Sequence, residues 1–144
     1  MTEVVQVLLA DDEKEFVETL AARLEVRGMK VHTALSGDEA LSRIKENGID
    51  VVILDVLMPG RDGIQTLKEI KEINPLLQVL MLTGHGTIQT GIEGMKLGAY
   101  DFLIKPTDTL DLVEKIEGAY RLKSGHEEPI CQAEIKSILK RKGW

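Results

Sequence analysis

Five polar side chains stand at the ends of apolar runs. Asp11 and Asp12 follow Val4 to Leu9, Asp55 follows Val51 to Leu54, Thr83 follows Leu77 to Leu82, and Lys105 follows Ala99 to Ile104. If these runs are parallel strands of one sheet, their carboxyl ends share a rim, where open α/β sheets bind ligands. Clustered carboxylates repel one another unless a cation joins them. Oxygen donors with no His or Cys beside them point to a hard ion, Mg²⁺ rather than Zn²⁺. Mg²⁺ favours one or two carboxylates together with waters and phosphate oxygens. A cation, a lysine and a hydroxyl around a carboxylate make a phosphoryl-transfer site, with the carboxylate as nucleophile. Asp55 is then the nucleophile, Lys105 stabilises charge on the transferring group, and Thr83 donates a hydrogen bond to it.

Each residue alone has a plainer use. Asp11 suits a helix cap, and Asp12 suits a helix N-terminus. Asp55 can open a turn before Pro59-Gly60. Thr83 can simply end a strand, and Lys105 can be a solvated charge before a turn. The joint placement at the ends of four strands favours the chemical reading.

The intervening segments must position these ends. Val51 to Leu54 is continuously apolar and mostly β-branched, as a strand buried on both faces is. Phe16, Val17, Leu20, Ala21 and Leu24 recur at helical spacing, and Gly28 stops that helix. Met29, Val31 and Thr33 alternate with Lys30 and His32, which places the second strand at an edge. Ser36 and Glu39 form a capping box for a second helix, with Ala40, Leu41 and Ile44 inward. Asp62 caps a third helix, whose core face is Ile64, Leu67, Ile70 and Ile73. A fourth helix is expected over 87–97. A fifth is expected over 109–122, burying Leu112, Val113, Ile116 and Ala119. Five alternating βα units imply a doubly wound parallel sheet with helices on both faces. The flavodoxin-like order 2-1-3-4-5 is expected, since five units cannot close a barrel of eight.

The chain of 144 residues is of single-domain length, and its apolar content of 43% with 3% aromatics calls for an aliphatic core. A net charge of −6 argues against direct nucleic-acid binding. One cysteine, Cys131, excludes an intrachain disulfide and fits a reducing compartment. No signal peptide or membrane-spanning run is visible, so a cytoplasmic location is expected.

The chain resembles the receiver domain of two-component response regulators over about residues 3–122. The resemblance is carried by Asp11-Asp12, Asp55 with Met58-Pro59-Gly60 and Asp62-Gly63, Thr83-Gly84, and Lys105-Pro106. Thr83-Gly84-His85-Gly86 and Gly98-Ala99-Tyr100-Asp101-Phe102 look most like receivers of the nitrogen-regulator (NtrC) type. The resemblance implies that Asp55 accepts a phosphoryl group from a sensor histidine kinase. It implies Mg²⁺ held by Asp12, Asp55 and the Leu57 carbonyl, with Asp11 acting mostly through water. Thr83, Gly84 and Lys105 would bind the phosphoryl group, and Thr83 with Phe102 would form the switch. Homodimerisation would use helix four, strand five and helix five.

Two segments depart from a plain reading. Gly91 and Gly94 inside helix four each cost about 1 kcal/mol relative to Ala. They mark either close packing against a neighbour or a segment poised to shift with Thr83. The last 24 residues hold six of the 18 Lys/Arg but three of the 24 Asp/Glu. Ser124-Gly125 is expected to break helix five, dividing a receiver domain (1–123) from a tail (124–144). That tail carries a short amphipathic helix with Cys131, Ile135, Ile138 and Leu139 on one stripe. It is a helix packed on the domain or a docking segment for a partner. Leu57 and His85 stand two residues after Asp55 and Thr83, where the resemblance implies control over loss of the phosphoryl group; Leu57 cannot orient an attacking water whereas a histidine can, and slow autodephosphorylation is expected.

The leading reading is a signalling switch. An aspartyl-phosphate phosphatase would want a second Asp two residues after Asp55, where Leu57 stands. A phosphorylation-independent module with this fold would lack an acidic residue or the lysine, and both are present.

Overall fold

In the computed structural model, residues 4–46, 48–56, 63–84, 88–105 and 108–127 are described, the last four as backbone alone. Among these residues five strands and five helices alternate: β1 (Gln6–Ala10), α1 (Lys14–Val26), β2 (Lys30–Ala34), α2 (Gly37–Glu46), β3 (Val51–Asp55), α3 (Gly63–Ile73), β4 (Gln78–Thr83), α4 (Ile88–Lys96), β5 (Asp101–Ile104) and α5 (Thr109–Glu127). The strands form one parallel sheet in the expected order, β2-β1-β3-β4-β5. Among the described residues, no helix is long and apolar enough to cross a membrane.

The strand side chains alternate between two apolar layers. Val7, Leu9, Ile53, Leu80 and Leu82 meet Val17, Leu20 and Leu24 of α1 and Leu112 and Ile116 of α5. Leu8, Ala10, Val52, Leu54, Val79 and Met81 meet Ala40 and Ile44 of α2 and Leu67 and Ile70 of α3. Every residue of β3 and β4 is buried, as their apolar runs require, whereas β2 is half-exposed at the sheet edge.

Local signals act largely as their chemistry dictates. Gly28 takes φ +87°, a left-handed conformation that ends α1. Ser36 Oγ accepts the Glu39 amide at 3.1 Å, while the Glu39 carboxylate turns to the Leu35 amide at 3.4 Å. The capping box therefore reaches one residue further back than its usual reciprocal form.

Two expectations are corrected. Ile73 is 42% exposed, not on the core face of α3. Steps of three residues lag about 60° each on an α-helix, so Ile64 and Ile73 lie on opposite sides of it. Leu67 and Ile70, between them, are buried, with Thr66 beside them. Second, α5 does not stop at Leu122: it continues through Ser124-Gly125 to Glu127. One glycine costs a helix only about 1 kcal/mol, and Lys123 holds this last stretch to Asp50 through a largely buried ion pair at 3.3 Å. The expected tail helix, its apolar stripe included, lies outside the described residues, as do Asp62, His85 and Leu57.

Candidate functional site

The fold brings the four strand ends to one rim. Ala10 pairs with Leu54 across β1 and β3, so Asp11 and Asp55 follow at equal height. The sheet order reverses direction between β1 and β3, the usual place for a ligand crevice in such sheets. Asp55 pairs with Leu82, and Thr83 with Ile104, which sets Thr83 and Lys105 beside Asp55. The Lys105 amide donates to the Thr83 carbonyl at 2.7 Å, fixing where the lysine leaves the sheet.

Asp11 and Thr83 are fully buried and Asp55 is 6% exposed, whereas Asp12 faces solvent. One carboxylate oxygen from each of Asp11, Asp12 and Asp55 lies within 4.8 Å of the others. Such an all-oxygen set fits a hard divalent cation, and its open side at Asp12 leaves room for waters and a phosphoryl oxygen. Asp11 also does the plainer job: its Oδ1 accepts the Glu13 amide at 2.9 Å at the entry to α1. The cap engages Oδ1 and leaves Oδ2 to Lys105.

Lys105 crosses the site. Its Nζ is 2.6 Å from Asp11 Oδ2, 3.2 Å from Glu13 Oε1 and 3.5 Å from Asp55 Oδ2. It also lies 4.6 Å from the centre of the Phe16 ring, in cation–π range. Burial opposes the charge on this ammonium. The hydrogen bond to Asp11, the charges of Asp11 and Asp55 and the hydrogen bond to Glu13 outweigh it, and its pKa lies above the usual lysine value. Lys105 is therefore charged at neutral pH, with Asp11 and Glu13 nearer to it than Asp55.

Thr83 Oγ1 makes a long hydrogen bond, 3.4 Å, to the Leu103 carbonyl. Phe102 is partly buried against the second apolar layer. Gly84 is half-exposed just beyond β4. Gly63 closes the β3–α3 connection: a Cβ there would sit 2.6 Å from Val56 Cα and 2.8 Å from the Asp55 carbonyl oxygen. Only a residue without a side chain lets α3 start this close to Asp55.

Asp11, Asp12, Asp55, Thr83 and Lys105 thus come together as expected. Leu57, expected to offer its carbonyl to the cation, lies outside the described residues. Glu13 and Phe16 join the site unexpected, Phe16 being expected only on the apolar stripe of the first helix. Their one available signal was the adjacency of Glu13 to Asp11-Asp12, since contact with a residue 92 positions away leaves no periodic mark.

Residues 7–117 match the family described as the response regulator receiver domain. A response regulator receiver domain protein from Clostridium thermocellum is similar in structure, with 40% identity and a TM-score of 0.81; the match covers 84% of this chain and 98% of that one. The receiver domain of NtrX from Brucella abortus is 36% identical with a TM-score of 0.77, over 80% of this chain and 98% of that one. The transcriptional regulatory protein ZraR of Salmonella typhimurium is 39% identical over 131 residues, 90% of this chain but 30% of that protein. The chain therefore spans less than a third of the length of that relative.

Proposed function

The chain belongs to the response regulator receiver domain family of two-component systems, and from that premise we propose that it is a phosphorylation-driven switch with Asp55 as the phosphoacceptor. The observation that carries this reading is the meeting of Asp11, Asp12, Asp55 and Lys105 at one crevice. The Asp55 carboxylate attacks the phosphorus of a sensor kinase's phosphohistidine; an oxygen–phosphorus bond forms and the nitrogen–phosphorus bond breaks, leaving the imidazole.

Asp12 and Asp55, with the Leu57 carbonyl and Asp11 through water, would hold Mg²⁺. When bound, that ion offsets negative charge on the transferring group. Lys105, whose ammonium already lies 3.5 Å from Asp55 Oδ2, supplies the second positive charge. The Thr83 hydroxyl gives up its long bond to Leu103 and turns to a phosphoryl oxygen, joined by the Gly84 amide. Phe102 follows Thr83, since both pack against α4. The chain catalyses only its own phosphoryl transfer and the loss of that group, and otherwise acts as a cytoplasmic signalling switch. Its output face is α4, β5 and α5, where Ile92, Met95 and Leu110 are exposed; this face suits a second copy or a downstream protein. We place the receiver at 1–123 and the tail at 124–144, which begins with the last turn of α5 and either packs on the domain or docks a partner.

Titration with beryllofluoride, a mimic of the phosphoryl group, tests this reading. Amide shifts at Asp55, Gly84 and Phe102 that need Mg²⁺ support it. Absence of any shift with Mg²⁺ bound overturns it in favour of a phosphorylation-independent module.

A further inference from the structure

Under the function proposed above, on which this inference rests, the Lys105 ammonium must reach phosphoryl oxygens on Asp55. In the structure it is held to one side. An ammonium has three N–H donors, and three carboxylates surround this one, with Asp55 the most distant at 3.5 Å. Asp11, at 2.6 Å, belongs to the trio suited to a cation, so cation binding loosens its claim on the lysine. Glu13, at 3.2 Å, lies outside that trio and keeps its claim. The Phe16 ring, three residues after Glu13, holds the ammonium at 4.6 Å from its centre and also lies outside that trio.

We propose that Glu13 and Phe16 are positioning residues that hold Lys105 back from the phosphoryl site, so that the phosphoryl group must compete with them for its ammonium. Neither residue touches the reacting atoms. Their effect is on the balance between the resting and phosphorylated arrangements, because a contact made only in the resting state disfavours the other. Glu13 is 66% exposed, so its pull is that of a surface ion pair.

The test is beryllofluoride affinity at saturating Mg²⁺ for the wild type, Glu13→Gln and Phe16→Leu. Removing an exposed pair of this kind should tighten binding about two- to fivefold, and Phe16→Leu should tighten it in the same direction without any change of charge. The gain from Glu13→Gln should shrink in high salt, where an exposed pair is screened. Unchanged or weaker binding in Glu13→Gln overturns the proposal. So does tightening by Glu13→Gln alone, which would mean a general charge effect rather than a hold on Lys105. A wild type that fails to bind beryllofluoride would instead overturn the phosphoacceptor reading.

Discussion

The Phe102 ring occupies the space that a side chain on Gly91 would need: a Cβ at Gly91 would lie 3.2 Å from the ring and 2.9 Å from Thr83 Cγ2. The glycine lets α4 sit directly on the two residues proposed to switch. The close-packing reading of the helix-four glycines is thus borne out in geometry, and it couples α4 to Thr83 and Phe102 rather than to an inert neighbour.

Gly91→Ala should therefore destabilise the domain although alanine favours helix. Overpacking costs about 1–3 kcal/mol, and Thr83 is fully buried, so its methyl group yields only by disturbing the packing of β4 against α4. Gly94→Ala meets Met81 Cγ at 3.1 Å, and a flexible methionine can yield. Urea denaturation should show Gly91→Ala less stable than Gly94→Ala by at least about 1 kcal/mol. Equal stabilities would contradict the steric account of α4.

Gly63→Ala should be more damaging still. Its Cβ would meet the backbone of Val56 and Asp55, neither of which can move without displacing the end of β3. A loss of about 2–3 kcal/mol is expected, with weaker Mg²⁺ binding because Asp55 shifts. A variant that binds Mg²⁺ and melts like the wild type would refute this.

His32 should make stability fall in mild acid. Burial, with Lys30 and Arg43 nearby, lowers its pKa, so the folded state disfavours the protonated ring. The unfolded chain then binds more protons in the window just below about pH 6.5. Stability should rise with pH through that window and level off above it. His32→Gln keeps a partner for the Gln6 side chain, 3.1 Å from His32 Nε2, and should flatten this slope. An unchanged slope in the variant would assign the pH dependence to other groups.

Much of this architecture was legible in residue patterns, and the failures have physical causes. The unbroken apolar run of β3 predicted a strand covered on both faces, and the polar residues after the strands predicted the shared rim. Ile73 misled because a spacing of three mimics a helical stripe over two turns and drifts off it over three. The extension of α5 was hidden because Ser124-Gly125 reads as a local breaker, while the Lys123–Asp50 pair that accompanies the extension is a tertiary contact. Glu13 and Phe16 escaped for the same reason, since their link to Lys105 joins the start of α1 to the residue after β5.

α4 should open more readily than α1, since it holds two glycines and exposes Ile92, Met95 and, just after it, Leu97. Amide exchange over 88–96 should be faster than over 14–26 and should slow on phosphorylation. Equal protection in the two helices would count against a mobile α4.

The most direct test of the central claim is intact-mass spectrometry after incubation with acetyl phosphate. One added phosphoryl group is expected on the wild type with Mg²⁺, and none with chelator or in Asp55→Asn. A phosphoryl group that persists in Asp55→Asn, or that forms without Mg²⁺, would contradict it.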